Sequence, residues 1–307
     1  VILSLLKRAG WAVVTLFGVT LLTFGMVHLI PGDPALMLAG QNAPPSVVEN
    51  IRRQYKLDRP LAEQYGEFLR KLSHGDLGRS FLRDEPVADA IRSRLPATVQ
   101  LAVSAWVCWL ALGTLAGVWA AARPSRLREG ALLGFSILGV STPTFWVGIL
   151  LLYLFVSRLR LLPAGGSGTL RHLVLPLVAL SLSGVAYYAR LAHSSLSETL
   201  REDYIRTARA KGLGPGTVLF RHALRNALLP LVTLAGTDLA ALLGGVVFTE
   251  SVFDWKGLGL LAVEAVNGPD VPLILGIVLV SAVFVVLANL LVDLLYPLLD
   301  PRIRSGS

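Results

Sequence analysis

Residues 196–230 read LSETLREDYIRTARAKGLGPGTVLFRHALRNALLP, a polar and strongly basic stretch between two apolar runs of membrane length. Its first half, 197–211, has helix chemistry throughout. Ser197 is placed to cap a helix, with Glu198, Glu202 and Asp203 toward the positive end of the dipole. Arg206, Arg209 and Lys211 fall toward the negative end. Gly212, in a left-handed conformation, and then Pro215 stop the helix. Leu200, Tyr204 and Ala208 recur every fourth residue and so share one stripe. Thr217 is placed to cap a second helix, with Leu219, Phe220, Ala223, Leu224, Ala227 and Leu228 on one half of its wheel and Arg221, His222, Arg225 and Asn226 on the other. Two short amphipathic helices around a glycine–proline corner, held at a membrane surface, make a docking element. The plainer reading is a cytoplasmic loop whose basic residues only fix topology.

The surrounding chain is built for lipid. Of its 307 residues 54% are hydrophobic and 16% charged, with a mean hydropathy of +0.64, far from a soluble domain. Uncharged runs cover 9–30, 95–122, 131–157 and 173–189; 226–249 carries Asp238 alone and 271–299 carries Asp293 alone. In hydrocarbon each run must satisfy its own backbone hydrogen bonds, which a helix of about 20 residues does. Six transmembrane helices are therefore expected. The run at 9–30 is longer than the apolar part of a signal peptide (about 7–15 residues), so it reads as an anchor.

Charge orients the spans. The short loops that fall outside when both termini are cytoplasmic hold only Arg158, Arg160, Arg171 and Lys256, against seven Lys/Arg in 190–225 alone. The ten in 31–94 lie in a long segment that is exempt from the bias. That segment reads as an extracytoplasmic insertion with helices after Pro44-Pro45-Ser46 and over 61–72, the latter with Tyr65, Phe68, Leu69 and Leu72 on its apolar side. A net charge of +8 beside apolar spans points to an anionic membrane surface rather than nucleic acid.

Catalytic chemistry is not visible. The glycine-rich 212–217 lacks the lysine of a phosphate-binding loop, and the five histidines have no metal-ligand spacing. The single cysteine, Cys108, sits in an apolar run and forms no internal disulfide. Asp238, near mid-span between Gly236 and Gly244-Gly245, either lines a path or makes an interhelical hydrogen bond. Asn289 is a second path candidate, and Asp293 lies near enough to the inner end to reach the interface. Gly113-x-x-x-Gly117 and Gly130-x-x-x-Gly134 are close-packing signals.

Asp203, Tyr204, Arg206, Thr207, Ala208, Arg209, Ala210, Lys211 and Gly212, followed by His222, Arg225, Asn226 and Pro230, resemble the cytoplasmic loop of bacterial ABC-importer permeases of the peptide branch. The resemblance continues through Pro31-Gly32-Asp33-Pro34, Leu57-Asp58-Arg59-Pro60, Gln64-Tyr65, Gly75-Asp76-Leu77-Gly78-Arg79-Ser80 and Leu95-Pro96-Ala97-Thr98. It includes Glu250-Ser251-Val252-Phe253 before Gly257-Leu258-Gly259, the stretch from Asn289 to Tyr296, and the closing Asp300-Pro301-Arg302-Ile303-Arg304. Together these resemble the B-type permeases of dipeptide and oligopeptide importers. Departures are Lys256 for a usual proline, Pro269-Asp270-Val271-Pro272 for the usual Arg-Asp-aromatic-Pro, and His193 for a common arginine.

The resemblance implies an all-α, type I ABC importer permease bundle. An anchor helix at 1–30 is followed by the insertion at 31–94 and a five-helix core at 95–307, with a coupling loop at 191–228. It also implies a heterodimer with a second permease, two ATPase subunits that use ATP and Mg, and an extracytoplasmic binding protein. The chain itself would bind no cofactor and hydrolyse nothing. It would form half of a translocation path in a bacterial inner membrane. Dipeptide, oligopeptide, glutathione and metal-chelate cargoes all suit the scaffold. The rival class is an ion-coupled secondary transporter working through Asp238, against which stands the lack of an inverted repeat or paired broken helices. A membrane-embedded enzyme is a third class, and it lacks a catalytic constellation.

Overall fold

A computed structural model describes residues 2–29, 35–36, 43–54, 57–80, 82–244 and 246–299. The motif at 31–34 and the closing Asp-Pro-Arg-Ile-Arg lie outside these residues, and the side chain of Asp293 is likewise not described. Among the described residues the structure is helical, with one isolated bridge between Arg79 and Pro86 and no strand. In chain order the helices are α1 (Ile2–Leu29), α2 (Pro45–Gln54), α3 (Leu61–Ser73), α4 (Val87–Ala122), α5 (Arg126–Ser141), α6 (Thr144–Arg158) and α7 (Leu170–Thr199). There follow α8 (Asp203–Ala210), α9 (Pro215–Ala227), α10 (Leu229–Leu243), α11 (Val247–Val252), α12 (Leu258–Asn267) and α13 (Val271–Leu299).

Three of these, α4, α7 and the 271–290 part of α13, are long and apolar enough to cross a membrane; the count is five if each of two bent pairs is one span. The stretch 10–26 of α1 is apolar over 17 residues. The expected single helix over 131–157 is corrected here. Pro143 has no N–H and forces the residue before it out of the helical region, so Thr142 (φ −90°, ψ 122°) and Pro143 (φ −61°, ψ 131°) are both extended. Helices α5 and α6 consequently meet at 96°. The Thr142 hydroxyl closes the end of α5 by donating to the Leu138 carbonyl at 2.6 Å. The expected span 226–249 also differs. It starts earlier, as α9, bends by 44° into α10 ahead of Pro230, and ends at Leu243.

The chain divides into two compact units, 96–260 with 287–307, and 2–95 with 261–286. In the first, α7 is the central helix. The Gly113/Gly117 signal acts there: a Cβ on Gly113 would sit 2.5 Å from the Tyr188 Cβ, and one on Gly117 would sit 2.6 Å from the Ala192 Cβ. Only hydrogen at these two positions lets α4 and α7 approach. Gly130 and Gly134 have open space around them, so the second signal marks no close packing among the described residues. Trp106 donates its indole N–H to the Ala235 carbonyl at 2.6 Å, and Trp109 to the Leu180 carbonyl at 3.2 Å.

In the second unit, Asp270 caps α13. Its Oδ1 accepts from the Leu273 N–H at 3.2 Å, and its Oδ2 accepts from the Ser80 hydroxyl at 2.5 Å and the Leu82 N–H at 3.1 Å. Arg83 pairs with Glu264 at 2.5 Å. Gln64 donates to the carbonyls of Arg59 (2.7 Å) and Leu57 (3.2 Å), fixing the approach to α3.

Candidate functional site

The polar stretch 196–230 is built differently from its expected form. Helix α7 continues to Thr199, so Ser197 lies inside it and caps nothing. The chain breaks at 200–202, and α8 begins after Glu202, whose extended backbone (φ −63°, ψ 150°) occupies the capping position. Thr217 is likewise not a cap: α9 starts at Pro215, where a missing N–H is harmless, with Gly214 before it. Gly212 has φ +78°, the left-handed conformation that a helix end with glycine adopts.

Rephasing the helix moves its faces. Ile205 and Ala208 are buried with Leu196, Val218, Ala223, Ala227 and Ala121, so they attach α8 to the bundle. Tyr204 is exposed, and its hydroxyl accepts from the Asn226 amide at 2.8 Å, tying α8 to α9. Ser195 donates to the Ala227 carbonyl at 2.8 Å, tying α9 to α7. The stripe of Leu200, Tyr204 and Ala208 is not one helix face: Leu200 lies in the break at 200–202 and packs on the same cluster as Ala208, while Tyr204 is exposed. Ala208 is no part of an outward face.

What faces outward is Asp203, Arg206, Thr207, Arg209, Ala210 and Lys211, with Gly212 at the exposed corner. Arg206 and Asp203 form an exposed pair at 3.3 Å, and Thr207 donates back to the Asp203 carbonyl at 3.0 Å. Such a pair contributes little to stability and leaves the face free to be contacted. A cleft of about 660 Å³ opens beside it, lined among others by Arg190, His193, Ser197, Arg201 and Asp203. In α9 the turn at 218–223 widens to the i→i+5 pattern, and Phe220 projects into the open.

Asp238 is half-buried on α10, and its Oδ2 accepts from the Tyr188 hydroxyl of α7 at 2.5 Å. Tyr188 is fully buried, so the bond satisfies a hydroxyl that has no access to water. Of the two readings of Asp238, the interhelical hydrogen bond is present. Asn289 is exposed on α13.

Sequence reasoning gave no role to Glu250, which the structure buries completely. Its Oε1 accepts from the Thr98 hydroxyl at 2.7 Å and its Oε2 from the Leu260 N–H at 3.0 Å, while Thr98 accepts from the Leu258 N–H at 2.7 Å. A Cβ on Gly257 would collide with the carboxylate, and one on Gly259 would lie 3.0 Å from its Oε2. Trp255, also fully buried, donates to the Ala97 carbonyl at 2.8 Å. The available signal was an acid followed at seven and nine residues by glycine, in a segment too short to span.

Comparison with known proteins agrees with this architecture. Residues 113–305 match the model of the binding-protein-dependent transport system inner membrane component, and 1–102 match the N-terminal region model of such membrane components. The chain is 39% identical to the glutathione transport system permease protein GsiC of Escherichia coli O6:H1 (strain CFT073), covering 97% of this chain and 98% of that protein. It is 36% identical to the dipeptide transport system permease protein DppB of Alkalihalophilus pseudofirmus, over 97% and 98%. A chain of the MetNI methionine ABC transporter in an inward-facing conformation shares the fold, with a TM-score of 0.56 at 18% identity over 69% of this chain and 96% of that one.

Proposed function

The chain belongs to the family of binding-protein-dependent transport system inner membrane components, and from that premise we propose that it is the B-type permease of a peptide importer driven through α8. The observation that carries the coupling role is the division of α8 into two faces. Ile205 and Ala208 fasten it to the helix bundle, and Arg206, Thr207, Ala210 and Lys211 are left outward around the left-handed Gly212. A short helix attached this way transmits a push without bending, because its inner side is packed and its neighbours α7 and α9 are hydrogen-bonded together.

The complete transporter is then a heterodimer of this chain with a second permease, two ATPase subunits that bind ATP and Mg, and an extracytoplasmic binding protein that delivers cargo. Closure of the ATPases on ATP moves α8 and turns the bundle between inward- and outward-facing states. The topology is six spans with both termini cytoplasmic and 31–94 on the outer side; the bent pairs α5–α6 and α9–α10 count as one span each. Peptide cargo is supported by relatives named for dipeptides and for glutathione, itself a tripeptide. An ion-coupled mechanism is not favoured, since Asp238, its mid-membrane acid, is engaged by Tyr188.

The test is a pair of substitutions of equal size on opposite faces. Ala210→Trp should abolish transport-stimulated ATP hydrolysis in reconstituted vesicles and weaken co-purification of the ATPases, while leaving the permease inserted. Ala208→Trp should destabilise the permease itself, because it enters the packed side. Full coupling in Ala210→Trp would remove α8 as the power input and restore the topogenic loop.

A further inference from the structure

The insertion is not simply a water-exposed platform. Helix α3 packs on α1 through aromatic residues: the Tyr65 ring centroid lies 6.1 Å from that of Phe17 and 5.2 Å from that of Phe24, and Phe68 lies 5.8 Å from Phe24. The hydroxyls of Tyr65 and Thr20 are 2.8 Å apart, and Thr20 also donates to the Phe17 carbonyl. Thr20 sits in the middle of the uncharged run 9–30. At 1.5 Å per residue it is about 20 Å along the axis from Lys7 and about 14 Å from Leu29, the last residue of α1. A hydrocarbon core about 30 Å thick with Lys7 at its inner edge places this contact about 10 Å below the outer edge, so the far side of a helix about 10 Å across reaches the headgroups.

Large apolar side chains of α1 remain open on both sides of the contact, including Trp11, Val14, Leu21, Leu22 (71% exposed) and Met26. At 100° per residue the exposed apolar positions occupy more than half the circumference of α1, which is the mark of lipid rather than of one protein stripe. A helix packed at the same level shares that surrounding. The chemistry of α3 fits. Tyr65, Phe68, Leu69 and Leu72 form one side and none of its residues is fully buried, so packing on α1 leaves apolar surface uncovered. The opposite side carries Glu63, Glu67, Arg70 and Lys71, with Glu67 paired to Arg70 at 2.5 Å and Glu63 to Arg59 at 3.2 Å. A helix too polar to span, yet with opposed apolar and charged faces, has the pattern of one seated at a membrane surface.

We propose that α3 is seated in the bilayer, with Phe68, Leu69 and Leu72 against lipid acyl chains beside α1 and its ion-paired face turned to the headgroups. The bond between Tyr65 and Thr20 gives each hydroxyl a partner where water is scarce. The proposal rests on the topology above only for naming the outer leaflet.

The experiment uses the assembled importer in phosphatidylcholine vesicles, with Cys108→Ala as background and nitroxide labels at Leu69, Leu72, Glu63 or Arg70. Labels at 69 and 72 should collide with oxygen in several-fold preference to a water-soluble nickel chelate, and labels at 63 and 70 should show the reverse. Equal access of nickel to all four would put α3 in water, and closure of 69 and 72 to both reagents would put protein over them; either overturns the proposal. As a check without substitutions, the native protein is irradiated in vesicles whose acyl chains carry a diazirine. Adducts within 61–73 are expected, and adducts confined to other helices would refute the seating of α3.

Discussion

Replacing Thr98 by valine tests whether the buried carboxylate knot holds the permease together. Valine matches threonine in shape, so the substitution opens no cavity and removes only a hydroxyl from a residue that is 1% exposed. That hydroxyl gives the Glu250 carboxylate a donor at 2.7 Å and gives the Leu258 N–H an acceptor at 2.7 Å. A hydrogen bond to a charged group contributes about 1.5–3 kcal/mol, and a buried N–H left without a partner costs about 1–3 kcal/mol. The Leu260 N–H still holds the second carboxylate oxygen, so the two losses together come to about 2.5–6 kcal/mol. At about 2 °C per kcal/mol for a chain of this size, the thermal midpoint should fall by roughly 5–12 °C in detergent. Thr98→Ser keeps the hydroxyl and should recover most of the loss. Gly257→Ala drives a Cβ into the carboxylate and should be at least as damaging, whereas Gly216→Ala, with open space around it, should be near neutral. A valine variant melting within about 1 °C of the parent would refute the assignment, since neither term of the estimate could then be present.

Three other outcomes follow from particular residues. Gly212→Val forces a β-branched residue into φ +78° with no neighbour in its way, so a strain of about 1–3 kcal/mol is wholly conformational; stimulated ATP hydrolysis should drop further than ATPase co-purification, and equal losses would count against a role for this corner in directing α8. Asp238→Asn keeps an acceptor for the Tyr188 hydroxyl and removes only the charge, so assembly should survive; uptake that falls with assembly intact would add a path-lining role, and uptake unchanged across pH would leave Asp238 with a packing role alone. Cysteines at Ser73 and Ser305, in a Cys108→Ala background, should differ in labelling by an impermeant thiol reagent on intact cells, and equal labelling would overturn the six-span topology.

Features of the chain that depend on near neighbours were legible in its sequence, and those that depend on distant ones were not. Gly113 and Gly117 could be recognised because the spacing of four is itself the packing requirement, whatever helix arrives opposite. Gly212 could be recognised because the end of a helix imposes its φ locally. The break at Pro143 was equally local, since a proline constrains the residue before it, and hydropathy hid it: Thr142 and Pro143 lie inside a run uniform enough to read as one helix. Ala208 was put on one stripe with Leu200 and Tyr204 for a related reason. Ser197 and Thr199 offer capping chemistry as good as that of Glu202, and only the packing of α7 through Leu196 decides that the helix continues past them. The Tyr188 partner of Asp238 and the Thr98 partner of Glu250 stand 50 and 152 residues away, beyond any periodicity. Yet the glycines at 257 and 259 carry a trace of the second pairing. A residue without a side chain close after a buried acid records that the chain must come back over the carboxylate. That suggests a rule for reading membrane chains. An acid in a segment too short to span, followed within ten residues by two glycines, is better sought as a folded-over structural knot than as a solvated loop charge.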